Sequence, residues 1–282
     1  MYFPPEFNKT RAAELGKLVK QAYQRFEDFK KNQTWNLKDG YTLVCEISYR
    51  TFLSFDVNNP VETTAIDKEI EELQASAPEP VSFGITDTVN DMVYKDVPMG
   101  FLATKGKTAY LVFRGTVTPR EWIFDANIKM QSYRLKDWGS VSDGFQNIYN
   151  RCRDSFIKTL NKIDPGFELF ITGHSLGGAL SLLSLPDVIN STHFKKPTLY
   201  NFGCPRVGDA VFAEKFDNLP DVKAFRVVNT SDLVTSIPLP VEVPILPSGY
   251  YTHVGVPIDF TYQSNDVGGN HAMSMYIEKM EQ

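Results

Sequence analysis

Hydrophobic positions recur at three- and four-residue intervals through residues 8–30, where Leu15, Leu18, Val19, Ala22, Phe26 and Phe29 share one stripe between lysines, glutamates and glutamines. That spacing predicts a helix with one buried face. Residues 41–50 read as a strand, 67–74 as an acidic helix and 75–80 as a loop. Two extended runs, 100–104 and 108–113, flank Lys105-Gly106-Lys107 and predict a hairpin. The helical period is clearest at 145–163, through Phe145, Ile148, Tyr149, Cys152, Phe156, Leu160 and Ile163, and Asp164-Pro165-Gly166 stops it. Beyond it the chain alternates: strand 167–172, helix 176–185 ended by Pro186, strand 198–203, helix 209–218, strand 222–229. A crossing rich in proline (Pro238, Pro240, Pro244, Pro247) leads to an extended run at 250–260 and a closing helix at 271–280. Alternation of short apolar strands with helices predicts an α/β fold with a mostly parallel central sheet and helices on both faces. No repeat, low-complexity tract or linker divides the chain, so residues 1–282 are expected to form one domain.

Composition narrows the function. A formal charge of −5 excludes the basic face of a nucleic-acid binder, so no nucleic-acid partner is expected. The three cysteines, Cys45, Cys152 and Cys204, lie far apart with no CxxC, which fits free thiols better than a disulfide framework or a zinc knuckle. The start, Met1-Tyr2-Phe3-Pro4-Pro5-Glu6, lacks the basic and apolar regions of a signal peptide. The expectation is therefore cytoplasmic if the sequence is full length and secreted if a leader was removed. The longest apolar-rich stretch, 176–189, is interrupted by Gly177, Gly178, Ser181, Ser184, Pro186 and Asp187, so no transmembrane segment is expected.

Residues 173–177 read Gly-His-Ser-Leu-Gly, a G-x-S-x-G pattern with an apolar strand before it and a helix after it. A serine on such a tight turn projects its hydroxyl into a site, and side chains two positions either way would collide there, hence the glycines. No G-x-x-x-x-G-K-[ST] or G-x-G-x-x-G is present, so the glycines do not read as a phosphate cradle. A nucleophilic Ser175 needs a histidine base held by a carboxylate, in the chain order Ser, acid, His that α/β-hydrolases use. His193 precedes every acid-bearing strand end, and His253 lies inside an extended run. His271 follows the glycine-rich Val267-Gly268-Gly269-Asn270 loop and opens the last helix, which makes it the base. Asp232, just past strand 222–229, is the acid by position, with Asp209 as runner-up and Asp259 and Asp266 behind.

The N–H of Leu176 should supply one oxyanion donor. The apolar strand ending Phe113-Arg114-Gly115-Thr116 offers Thr116 as the second. Thr118-Pro119-Arg120-Glu121 is a capping box with proline at the first helical position, so a short helix should follow at once. Trp122, Ile123 and Phe124 sit in a row on it and cannot all face one core stripe. They are assigned to substrate contact, and His174 beside the nucleophile is grouped with them, although its side chain should point away from the line of attack.

These pieces together resemble the fungal-type (class 3) triacylglycerol lipases of the α/β-hydrolase superfamily. The matching residues are Val112-Phe113-Arg114-Gly115-Thr116 with Trp122, and Gly173-His174-Ser175-Leu176-Gly177-Gly178-Ala179. They continue through Gly203, Pro205-Arg206-Val207-Gly208-Asp209, Val228-Asn229, Asp232, Val234 and Pro238 to Asn270-His271, in family order over roughly residues 83–280. Residues 1–80 correspond to that family's variable helical N-terminal part. The resemblance implies a Ser175–His271–Asp232 triad, an oxyanion hole at Thr116 and Leu176, a lid at residues 119–128 and no cofactor or metal. It implies hydrolysis of lipid acyl esters, with transient contact of the lid at a lipid interface. A carboxylesterase or feruloyl-type esterase of soluble esters is the alternative, and a catalytically silent lipase-like binding module a further one. Three positions depart from the family: Ser142-Asp143 stands where a histidine is usual before Gly144-Phe145, Ser274 replaces the tyrosine three residues past the histidine with Tyr276 nearby, and the disulfides of secreted members are absent.

Overall fold

A computed structural model of the chain describes residues 3–54, 92–116, 129–238, 250–264 and 266–282. The expected helix at 67–74, the loop at 75–80, the lid at 119–128 with Trp122, Ile123 and Phe124, and most of the proline-rich crossing lie outside the described residues.

The chain opens with helix α1 (Lys9–Lys30) and three strands, β1 (Thr42–Ser54), β2 (Met92–Lys105) and β3 (Thr108–Phe113). The short pair β4 (Met130–Ser132) and β5 (Ser140–Ser142) precedes α2 (Asp143–Leu160). Then follow β6 (Glu168–His174), α3 (Leu176–Ser191), β7 (Thr198–Phe202), α4 (Ala210–Asp217), β8 (Lys223–Asn229), a 3-10 turn (Leu233–Ser236), β9 (Val256–Phe260), α5 (Val267–His271) and α6 (Met273–Glu281). Among the described residues, seven strands form one sheet in the order β1-β2-β3-β6-β7-β8-β9. β1, β2 and β3 pair antiparallel, and every pair from β3 to β9 is parallel.

Two hydrophobic layers cover the sheet. Leu111 and Phe113 face one core with α2 and α3, whereas Tyr110 and Val112 face the other with α1 and α6. This is the period-two alternation of a strand buried on both sides. This α/β-hydrolase architecture has helices on both faces, as the sequence predicts. Among the described residues the three cysteines are free, and no helix is long and apolar enough to cross a membrane.

Four elements depart from the sequence reading. α3 does not end at Pro186 but runs to Ser191. Proline removes one helix donor and crowds the carbonyl four residues back. Here Asp187, 1% exposed in its side chain, anchors the next turn to Arg153 and Tyr149, and the Tyr133 hydroxyl donates to the Leu183 carbonyl. α2 closes at Leu160 rather than residue 163, because the Asn161 amide turns to the carbonyls of Ile157 and Ser191. In the 250–260 run only Val256–Phe260 joins the sheet, while Thr252 makes one isolated bridge to Gly208. Finally, residues 267–270 are not a loop and His271 does not open the last helix. Asp266 caps Val267–His271 by accepting from Gly269 N at 3.0 Å, and the extended Ala272 (ψ 127°) separates that turn from α6.

Candidate active site

The parallel strands carry their C-terminal ends to one edge of the sheet, where open α/β sheets collect functional groups. β3 delivers Arg114-Gly115-Thr116, β6 delivers His174 and Ser175, and β8 delivers Asn229 and the turn bearing Asp232. β9 leads to α5, which ends on His271.

Ser175 has φ 58° and ψ −127°, a left-handed conformation that costs a non-glycine residue about 1–3 kcal/mol. Its surroundings impose it. Ser175 N donates to the Phe202 carbonyl on β7 at 3.0 Å, and the Ser175 carbonyl accepts from Ala179 N at 3.2 Å. A Cβ on Gly173 would lie 2.0 Å from the Gly177 carbonyl oxygen, and one on Gly177 would lie 2.5 Å from that of Arg114. Both elbow glycines are therefore steric necessities. Ser175 occupies the N-cap of α3, yet its hydroxyl makes no capping hydrogen bond.

Asp232 is the centre of a donor cluster. Its Oδ1 accepts from Val234 N at 3.0 Å, and its Oδ2 accepts from His271 Nδ1 and the Tyr276 hydroxyl, each at 2.6 Å. With Nδ1 donating, a neutral His271 carries its lone pair on Nε2. Burial, and then the neighbouring Asp232 charge, push the Tyr276 hydroxyl well above its ordinary pKa, so it stays a donor. Asn229 closes the back of the site, its amide donating to the Asn270 carbonyl at 2.9 Å.

Buried polar atoms are nearly always paired. Here Ser175 Oγ, His271 Nε2 and Thr116 Oγ1 are buried with no hydrogen-bond partner among the described residues. Two hydroxyls and one ring nitrogen are thus held free at one end of the sheet.

The peptide before Thr116 is aimed by Arg114. This arginine is fully buried, donates from Nε to the Pro98 carbonyl at 2.6 Å and from Nη1 to the Gly115 carbonyl at 2.7 Å, and lies 3.6 Å from the Phe26 ring centre. A trans peptide sets C=O and N–H opposite, so with the Gly115 carbonyl held by Arg114, the Thr116 N–H points away from the guanidinium. Leu176 is the first residue of α3, where N–H groups lack helical partners and the dipole end is positive.

His174 sits against these parts, but not as a substrate contact. It is 4% exposed, and both ring nitrogens are engaged: Nδ1 with the Tyr23 hydroxyl and Nε2 with the His271 carbonyl, each at 2.8 Å. Grouping it with substrate-contacting residues does not fit this geometry, since no polar atom is left to offer. His253 does not pair with Asp232: it is bonded through Nε2 to the Thr235 carbonyl at 2.8 Å, on the turn that follows Asp232. Asp209 caps α4 by accepting from Phe212 N at 2.8 Å, and Asp259 lies exposed on β9. The family-departing Ser142 caps α2. Sequence reasoning overlooked Tyr23, Arg114 and Asn229 as supports. Tyr23 lies beside the apolar stripe of α1, and its spacing gives no sign of a polar partner 151 positions away.

Residues 110–242 match the family described as Lipase (class 3). A lipase of Rhizomucor miehei is 30% identical over 199 residues, covering 68% of this chain and 53% of the relative. Phospholipase A1 EG1, chloroplastic/mitochondrial, of Oryza sativa subsp. indica is 31% identical over 201 residues, covering 58% and 46%. The matched stretch thus spans about half the length of these curated relatives. A solved triacylglycerol lipase whose catalytic centre is a serine protease triad superimposes with a TM-score of 0.52 at 29% identity, covering 57% of this chain and 61% of that one. With its glycine-framed serine elbow and its sheet of α/β-hydrolase type, the chain belongs to the class 3 lipase family.

Proposed function

We propose that the chain is a serine-dependent carboxylic ester hydrolase of lipid acyl esters, with Ser175 as nucleophile, His271 as base and Asp232 as the acid that orients it. The observation that carries this reading is the pairing of a fixed histidine with a free one-sided nitrogen: His271 Nδ1 is tied to Asp232 at 2.6 Å while its Nε2 and the Ser175 hydroxyl have no partner among the described residues.

In this mechanism Ser175 Oγ attacks the ester carbonyl carbon while His271 Nε2 takes the hydroxyl proton. The Asp232 carboxylate holds the ring tautomer and stabilises the imidazolium. The N–H groups of Thr116 and Leu176, with the positive end of α3, bind the tetrahedral oxyanion, where one donor is worth about 10²–10³ in rate. The imidazolium returns its proton to the leaving alcohol as the C–O bond breaks. Water, deprotonated by His271, then releases the acyl group from Ser175. The relatives named above include a lipase and a phospholipase A1. Their common chemistry, hydrolysis of a fatty acyl ester, sets the substrate class proposed for this chain. The test is a chain-length series of p-nitrophenyl esters, with and without micelles, run on wild type and Ser175→Ala. The proposal expects preference for longer chains, a gain at the interface and loss of turnover in the variant. Preference for short soluble esters with no interfacial gain would support the carboxylesterase alternative.

A further inference from the structure

We propose that Tyr23 and His174 form a positioning relay that fixes the backbone of His271 from behind the nucleophile strand. The inference rests on the reading of His271 as the base.

The donor and acceptor roles follow from chemistry alone. The His271 carbonyl can only accept, so His174 Nε2 carries the hydrogen across the 2.8 Å contact. In the neutral ring Nδ1 then has only a lone pair, so the Tyr23 hydroxyl is its donor at 2.8 Å. Burial, and next the neighbouring His271, hold His174 well below the usual imidazole range, which keeps that neutral tautomer in place. Tyr23 in turn packs against the end of β3, where a Cβ on Gly115 would lie 2.5 Å from its hydroxyl oxygen. The relay therefore runs from the oxyanion strand, through a hydroxyl on α1 and a ring on β6, to the peptide of His271.

The His271 carbonyl needs this partner. It ends a five-residue helix, and the extended Ala272 breaks the chain before α6 begins. Carbonyls at a helix end lack intrahelical donors, and His174 supplies one. The two histidine rings also lie in contact, tilted to one another, with centroids 4.4 Å apart and planes at 33°. His271 is thus held at two points, its ring by Asp232 and its backbone by His174. That leaves Nε2 little room to swing from the line to Ser175. A neutral ring at this distance also spares the imidazolium formed in the reaction a like-charge neighbour.

The relay makes α1 part of the catalytic support rather than packing alone. A hydroxyl that only filled space would leave the chemistry of His271 unchanged when removed. Tyr23→Phe keeps the ring and deletes the donor. On a soluble short-chain p-nitrophenyl ester it should lower kcat about 10–100-fold, the cost of slight misplacement of a reacting group, with KM unchanged. The low-field proton resonance of His271 Nδ1–H should shift or broaden in the same variant. His174→Gln, which keeps a donor for the His271 carbonyl and an acceptor for Tyr23, should recover activity over His174→Leu, and that pair carries the comparison if Tyr23→Phe does not fold. A wild-type kcat and unmoved resonance in Tyr23→Phe, or equal activity in the two His174 variants, would overturn the relay. Ser175→Ala run alongside separates the two failures. Turnover by Ser175→Ala overturns the reading of the site and the relay with it. An inactive Ser175→Ala beside a wild-type-like Tyr23→Phe overturns the relay alone.

Discussion

Tyr276 and His271 donate to the same oxygen of Asp232, each at 2.6 Å. The tyrosine hydroxyl also accepts from Asn229 N at 3.3 Å, which ties the carboxylate to the end of β8. Tyr276 lies five residues past His271 rather than three, and the break at Ala272 is what brings it back to the site. Tyr276→Phe should lower kcat roughly tenfold through a less constrained Asp232, and cost about 1–3 kcal/mol of stability from the unsatisfied neighbours. Asp232→Asn should be far worse, on the order of 10⁴ in kcat, because the amide favours the wrong histidine tautomer. Steady-state kinetics beside a melting curve separate the two effects. Equal losses in both variants would contradict this ranking.

Arg114 reaches two carbonyls, of Pro98 and Gly115, with one planar fork. Lysine keeps the charge but has no fork, so Arg114→Lys cannot hold both at once. The peptide ahead of Thr116 would then lose its aim. Turnover should fall by about 10²–10³, as for loss of an oxyanion donor, with KM nearly unchanged. A variant with wild-type kcat would show that Arg114 does not aim that peptide.

His253 carries the opposite kind of information. Burial, and then the nearby Arg226, lower its pKa to about 3 from an ordinary 6.5. The native state keeps this ring neutral while the unfolded chain takes up a proton below pH 6.5. Its contribution to stability is therefore present above pH 6.5 and is lost as pH falls from there to about 3, at up to about 1.4 kcal/mol per pH unit for one proton. His253→Gln retains a donor for the Thr235 carbonyl and removes the titration. The variant should keep full esterase activity and show a shallower loss of stability from about pH 6 to about pH 4, inside the window where the native ring stays neutral, followed by urea unfolding. An unchanged acid slope would contradict the assignment.

Asp187 accepts from Arg153, Tyr149 and Ser191, with Arg134 3.3 Å away. Burial opposes its charge, but the hydrogen bonds from Arg153, Tyr149 and Ser191 outweigh it and hold its carboxyl below the usual range. Asp187→Ala takes the buried carboxylate from Arg153 and Arg134, leaving Arg153 only the exposed Asp154 as counter-charge among the described residues, and should cost about 3–5 kcal/mol. Because the cluster anchors the turn after Pro186, protease cleavage should appear near residues 187–191. Wild-type stability in this variant would leave the continuation of α3 without its cause.

Much of this arrangement is legible in the sequence. Gly173-His174-Ser175-Leu176-Gly177 demands a strand before it and a helix after it, and β6 and α3 supply them. Chain order and strand ends point to Ser175, Asp232 and His271, and the structure pairs His271 with Asp232. What stays hidden depends on partners far away in the chain. Pro186 looks like a stop until Asp187 is seen to be held by Arg153, 34 residues before it. Residues 267–270 look flexible because two glycines outweigh the capping signal of Asp266. His174 carries a place in the motif but no hint of direction; only the Tyr23 hydroxyl and the His271 carbonyl fix the ring.

The central claim is that Ser175 is a nucleophile made reactive by His271. Covalent labelling by a fluorophosphonate, mapped to the residue by peptide mass spectrometry, tests it in one step. The account predicts a single adduct on Ser175 in the wild-type protein and labelling slowed by orders of magnitude in His271→Ala. No adduct, an adduct on another residue, or equal labelling rates in the two proteins would contradict it.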